Sequence, residues 1–387
     1  MKRLLIPGLI FLAACSKNNI DRQSSSPQEG KKQSCDFGIK SFNLSKRAPV
    51  NPGNNEILSK KPSSGGGGTV SLGSGVILID FDGQLVSGTA WNTNGDISCA
   101  PANLTAAEIS IVVQRVINDY SPFNITVTTD EAVYNAANIN RRVRVIVTET
   151  WEWHGQAGGV SFLNSFTSGT NTPSFVFSSL LGYNSKYIAE AVSHEAGHTF
   201  GLLHQASYDA NCVKLSDYNT GQGTGEIGWA PIMGTSYYQN LTLWYKGPSS
   251  AGCNSIQDDL ATISAIVGYK TDDYSNSISG AAILTGSLDG IINNSNDLDF
   301  FSVNTSTSKT ISLTPFNVGA YNAGANTDLI LRLYNSKRAL ISTIDNPGVL
   351  NAAISLSPGN YYISVSTTAN PYTTTYGMLG KYNVSLN

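Results

Sequence analysis

An α+β domain followed by an all-β sandwich is the fold that the sequence predicts, and three patterns predict it. Between residues 75 and 200, short apolar runs of strand type alternate with two stretches of helical apolar spacing. A further helical run follows at 255–268. From residue 277 onward, brief alternating apolar stretches are separated by Asn, Gly, Ser and Pro, as in half-buried strands joined by turns. At 387 residues the chain is too long for one ordinary domain.

Residues 1–15 have the make-up of a secretory leader. Met1-Lys2-Arg3 is basic, and residues 4–14 form an apolar run too short to stay in a bilayer as a permanent helix. The run ends Leu12-Ala13-Ala14-Cys15, which resembles the lipobox of bacterial lipoproteins. That resemblance implies cleavage before Cys15 and acylation of its thiol, leaving the protein lipid-anchored in the cell envelope, at the outer membrane or cell surface. An ordinary secretory leader with a stray cysteine is the alternative. No other segment is apolar enough to span a membrane. Residues 16–72 are polar and end in Ser63-Ser64-Gly65-Gly66-Gly67-Gly68, so they read as a disordered linker or propeptide.

The first domain, 73–270, opens with a buried strand at 76–81. Thr105 is a candidate N-cap with Glu108 three residues on, and Ile109, Val112, Val113, Val116 and Ile117 follow at helical spacing. Strands are expected at 124–129, 143–147, 158–163 and 174–178. A helix then starts at Ser185, with Ile188, Ala191, Val192 and Ala196 on its buried side. The run 255–268 reads as a closing helix, acidic in its first turn and ended by Gly268.

The segment His194-Glu195-Ala196-Gly197-His198-Thr199-Phe200-Gly201-Leu202-Leu203-His204 holds three of the four histidines in the chain. His194 and His198, four apart, project from one helix face one turn apart. His204 would lie about 15 Å along a continuous helix, so the chain must turn back, and Gly201 permits a left-handed turn. A bare H-E-x-x-H also occurs on ordinary amphipathic helices; Gly201 and His204 set this one apart. A structural zinc site would be closed by four protein ligands, usually with cysteines. The arrangement resembles the metzincin clan of zinc metallopeptidases, whose signature is H-E-x-x-H-x-x-G-x-x-H followed by a Met-turn. Ala230-Pro231-Ile232-Met233-Gly234 is the candidate Met-turn, with Met233 forming an apolar floor beneath the metal.

The resemblance implies one catalytic Zn²⁺ held by His194, His198 and His204, with Glu195 as general base. It implies a twisted mixed sheet above a loop-rich lower subdomain. The strand at 158–163 would be an antiparallel edge strand that pairs with a peptide substrate by main-chain hydrogen bonds. Some members add a tyrosine two residues past the methionine. Thr235 stands there, so Tyr237 is carried instead as a candidate transition-state donor. Gln205, after the third histidine, is not the residue of the better-known branches, so the clan is assigned and not a branch. Trp151, Trp153 and His154 precede the edge strand and are read as loop packing.

The second domain, 277–387, has expected strands at 300–303, 310–313, 329–334, 361–365 and 382–386. Asp297-Leu298-Asp299-Phe300-Phe301 and Pro358-Gly359-Asn360-Tyr361-Tyr362 resemble the bacterial pre-peptidase C-terminal domain, a module of secreted peptidases. Asp297 and Asp299 are carried as Ca²⁺ candidates beside the plainer reading, turn residues at a strand start.

Four cysteines remain after the leader. An even number outside the cytoplasm suggests disulfides. Cys212 with Cys253 brackets the Met-turn and is preferred; Cys35 with Cys99 follows by elimination. A rival role for Cys35 is ligation of the metal in a latent form, although Gln33-Ser34-Cys35-Asp36 departs from the clan's switch motif. Charged residues are 13% of the chain and the net charge is -3, so there is no nucleic-acid footprint. The expected partners are a protein or peptide substrate and the membrane, with the protein a monomer. The competing readings are an adhesion or binding lipoprotein with an inactive or latent zinc domain, and a zinc hydrolase of non-peptide amides or esters.

Overall fold

The structure, a computed structural model, describes residues 34–37, 47–50, 74–317, 319 and 323–387. Cys15 and most of 16–72 lie outside the described residues. In chain order the first part contains β1 (Ser34–Phe37), β2 (Gly75–Asp80), the hairpin β3 (Gln84–Val86) and β4 (Ile97–Cys99), α1 (Ala106–Asp119), β5 (Ile125–Thr128), α2 (Glu131–Ala136), β6 (Arg142–Thr148), β7 (Gly159–Phe162), β8 (Ser174–Phe177), α3 (Ser185–Thr199) and α4 (Asp259–Val267).

Six strands form one mixed sheet in the order β1-β7-β8-β6-β2-β5. β8, β6, β2 and β5 are parallel, and β7 runs antiparallel to β8. All six residues of β2 are buried, as expected of a parallel strand covered on both faces. One side packs on α1 and α3 in the main core; the other packs Trp91, Phe162, Phe175 and Phe177 into a second cluster. α1 starts where predicted: Thr105 accepts from the Glu108 amide, and the Glu108 side chain accepts from the Thr105 amide. Asn184 caps α3 in the same way, accepting from the amides of Lys186 and Tyr187. From Ile188 to Thr199 every residue of α3 is buried, so this helix runs through the core rather than along the surface.

Three expectations are corrected. The strand at 159–162 is not the sheet's outermost strand, because β1 pairs with it antiparallel, Ser34 opposite Phe162 and Phe37 opposite Gly159. The closing helix begins at Asp259, not 255. Residues Gly252–Asp258 are a strand paired with Lys246–Ser249, and the Asp258 side chain caps the helix at the Ala261 amide. Cys212 and Cys253 are bonded as expected, but Cys99 is a free thiol. It is buried among Trp91, Ile97 and Val160, and burial pushes it up to about 12, so the Cys35–Cys99 bond is not formed.

The C-terminal part is two packed antiparallel sheets with one short parallel strand. One sheet orders Ala282–Ile283, Asp299–Thr305, Gly359–Thr367, Leu329–Asn335 and Leu340–Ile344; the other orders Ser287–Ile292, Gly380–Leu386, Lys309–Pro315 and Ala352–Leu356. All five predicted strands are present, each extended by no more than two residues at either end. The four unpredicted strands carry weak patterns. Leu340–Ile344, at a sheet edge, is mostly exposed and has no core face to impose alternation. Among the described residues no helix is long and apolar enough to cross a membrane.

Candidate active site

α3 delivers His194, Glu195 and His198, and all three are buried. The helix stops at Thr199 and Gly201 takes φ +97°, which turns the chain back so that His204 meets the other two. Ring centroids are 4.7 Å apart for His194 and His198, 5.2 Å for His194 and His204, and 4.9 Å for His198 and His204. Each imidazole offers one nitrogen, and these nitrogens lie within 4.8 Å of one another.

The tautomers follow from the backbone. Nδ1 of His194 lies 2.8 Å from the Ile232 carbonyl and Nδ1 of His198 lies 2.6 Å from the Leu202 carbonyl. A carbonyl only accepts, so Nδ1 carries the hydrogen in both rings and Nε2 keeps its lone pair. Neither ring nitrogen of His204 has a hydrogen-bond partner among the described residues. Burial, with the neighbouring histidines, holds His194 well below the usual imidazole range; burial, with His198 and Lys214, does the same for His204. Neutral, buried, converging imidazoles fit a zinc ion, and a three-nitrogen set leaves a fourth position open.

The Met-turn lies beneath this cluster. Met233 is fully buried, and a Cβ on Gly197 would stand 2.5 Å from its sulfur. Glycine inside the helical motif therefore lets the methionine approach. The turn is stitched to the third histidine's strand: the Gln205 amide donates to Met233 O at 2.7 Å, and Asn219 bridges Gln205 O and the Thr235 amide. Gln205 donates through Nε2 to Asp259 at the start of α4 at 3.0 Å, which gives that subfamily-marking position a bracing role.

Glu195 sits under β7. A Cβ on Gly159 would fall 2.8 Å from Glu195 Oε1, so glycine there makes room for the carboxylate. Ser161 on the same strand donates to Glu195 O at 2.9 Å. Tyr237 is buried against Tyr187; burial, and the Glu195 carboxylate beside it, raise its phenol well above the usual range. Thr235 makes a backbone bond only to Asn219. One residue escaped sequence reasoning: the Tyr218 ring lies 4.3 Å from the His204 ring. It stands in a loop without periodicity, placed by the long-range bonds of Asn219, so no local signal marks it. Trp153 and His154 pack on Trp91 and Phe177 in the second cluster, away from the histidine helix, as loop packing.

A second group of possible ligands lies in the C-terminal part. Asp272, Asp273 and Asp299 bring one carboxylate oxygen each within 4.8 Å of one another. Asp297 and Asp299 are buried, and Oδ1 of each has no hydrogen-bond partner among the described residues. Burial and the Asp297 charge push Asp299 up to about 8, and burial raises Asp297 to about 6. Sequence reasoning named Asp297 and Asp299 and missed Asp272 and Asp273, which lie just beyond α4.

Comparison with known proteins agrees with this geometry. Residues 145–255 match the model of a family described as metallo-peptidase family M12B, reprolysin-like. No curated protein matches the chain. Solved structures similar to parts of it include the pre-peptidase C-terminal domain of a collagenase from Bacillus anthracis (15% identity, TM-score 0.21, 30% of this chain and 98% of that one). They also include a periplasmic inhibitor of g-type lysozyme from Aeromonas hydrophila (11%, 0.18, 29% and 93%) and a surface-associated copper-binding protein of Methylomicrobium album (10%, 0.18, 28% and 97%). The matched stretch runs from β6 through all three histidines and Met233, and it is similar to a reprolysin-like metallopeptidase domain of family M12B.

Proposed function

We propose that the protein is a zinc endopeptidase of metzincin type that cleaves proteins outside the cytoplasm, with Glu195 as general base. One observation carries this most: three buried imidazoles converge beside a buried carboxylate, directly under a strand that pairs with an extended chain. His194, His198 and His204 would hold the zinc, which when bound would supply Lewis acidity to a water and to the scissile carbonyl. The Ile232 and Leu202 carbonyls fix the His194 and His198 rings through Nδ1. Glu195 takes the proton of the attacking water at its carboxylate and returns it to the leaving amine nitrogen. Tyr237, kept protonated by burial, donates to the carbonyl oxygen as it gains charge.

The pairing of β1 with β7 supports a peptide substrate, since it shows the main chain of β7 satisfied by an antiparallel extended strand. It also makes residues 34–37 a resident competitor, so we read this segment as part of a propeptide. Farther along, Arg47 is paired with Glu108 at 2.9 Å and the Val50 amide donates to Asn103 at 2.6 Å. Those contacts anchor the segment just after β1. The Cys212–Cys253 bond supports an oxidising compartment, in keeping with the leader and the lipid anchor read at Cys15.

Calcium is the reading for the aspartate group. Its donors are hard carboxylate oxygens, which suit Ca²⁺, and the two unsatisfied buried oxygens of Asp297 and Asp299 favour an occupant. The peptidase reading is tested by incubating the protein with a mixed peptide library and with simple esters. Peptide cleavage that disappears in Glu195→Ala supports it; ester hydrolysis alone overturns it.

A further inference from the structure

The C-terminal sandwich reaches the histidine helix through a chain of buried polar groups. Residues 323–326 insert against α1. Gly324 adopts φ +86°, and a Cβ there would land on the Arg115 guanidinium. Arg115 donates through Nη1 to Ala323 O at 2.6 Å and through Nη2 to Glu190 at 2.5 Å. Glu190 lies one turn before His194, and its other oxygen accepts from Ser236 at 2.7 Å, three residues past Met233.

A second arm runs beside the first. Asn326 donates to Asp119 Oδ1 at 2.9 Å and to Thr242 O at 2.5 Å, and accepts from Asn118. Asp119 Oδ2 accepts from Ser193 at 2.5 Å, the residue before His194. Arg115, Asn118, Asp119, Glu190, Ser193, Ser236 and Asn326 are all no more than 3% exposed.

An interface between separable domains is ordinarily polar and wet. Here one partner of a buried arginine and one partner of a buried aspartate of the peptidase part come from the sandwich, and a buried charge stripped of one partner is strongly destabilising. We infer that Asn326 and the loop around it are positioning elements of the zinc site. They hold α3 through Asp119–Ser193 and Arg115–Glu190, and so fix the spacing of His194 and His198. The sandwich is thus a part of the catalytic unit and not an appended module. This rests on the zinc-peptidase reading, deepened to the residues that position its ligands.

The test uses the full chain and two readouts, zinc affinity by chelator competition and peptide cleavage. Asn326→Leu keeps the branched shape of the side chain and removes its hydrogen bonds. The expected result is zinc binding weaker on the order of tenfold, the scale seen when groups orienting ligands are lost, with kcat reduced alongside and KM little changed. Leu331→Ala, a cavity in the sandwich core at a residue outside the relay, is the control: it lowers Tm and leaves zinc affinity and kcat unchanged. If Asn326→Leu lowers Tm and nothing else, the sandwich is only glue and the inference is overturned. Should Asn326→Leu not fold, Ser193→Ala deletes one oxygen of the relay, and unchanged zinc affinity in that variant overturns it equally. If the parent protein cleaves no peptide, the peptidase reading fails while the zinc-affinity arm still decides the relay.

Discussion

In the proposed reaction Glu195 is the residue on which the chemistry turns. It is buried beside three buried imidazoles, of which His194 and His204 are held well below the usual imidazole range by burial, and it makes no claim on the metal in the proposed scheme. Glu195→Ala is expected to lower kcat for peptides by at least ~100-fold while zinc content, measured by atomic absorption, stays at one per chain; loss of zinc with activity would show Glu195 to be structural. Gly197 tests the floor of the site. Gly197→Ala drives a methyl into Met233 and should weaken zinc binding without any change in the ligands, as chelator competition would read. Asp119 gives a pH signature. Burial, and then the Glu190 charge, raise it from the ordinary 3.8 to about 7. Between about pH 4 and 7 the folded chain keeps a proton there that the unfolded chain has lost, so this contribution to stability declines as pH rises. The unfolding free energy of the parent minus that of Asp119→Asn should therefore fall across that window, and a flat difference would show Asp119 to be ordinary.

Secondary-structure elements divide into those written locally and those written by distant contacts. α1 was legible because its capping box and its apolar spacing lie within fifteen residues, and Thr105→Ala should cost about 1 kcal/mol in a urea unfolding curve. The histidine motif was legible for the same reason: a four-residue spacing and one glycine place three rings. β1 was not, because Ser34–Phe37 has no periodicity of its own and acquires a strand's geometry only from the open side of β7. The start of α4 was misplaced because residues 255–258 carry helix-compatible side chains, yet their backbone is claimed by the pairing with Lys246–Ser249. If β1 blocks the substrate's place, removing residues up to 46 should raise kcat/KM for peptides; an unchanged rate would make β1 a structural strand that substrate does not displace.

At the scale of the whole molecule, the two parts read from sequence as neighbours are joined by buried charge. Nothing in the local pattern of 323–326 announces a contact with α1, and the partners Asp119 and Asn326 are more than two hundred residues apart in the chain. The aspartate group is likewise assembled from distant residues, two in the segment that joins the parts and one in the sandwich. Millimolar calcium should raise Tm in the parent, by about 2.7 kcal/mol of stabilisation at a hundredfold excess over Kd, and not in Asp299→Asn. The central claim, a peptidase with Glu195 as its base, is tested most directly by mass spectrometry of a mixed peptide library after exposure to zinc-loaded protein lacking residues 1–46, with Glu195→Ala in parallel. Internal cleavages by the parent and none by the variant are predicted. Intact peptides in both samples, with zinc bound and the fold preserved, would contradict the account and leave a zinc-binding protein in its place.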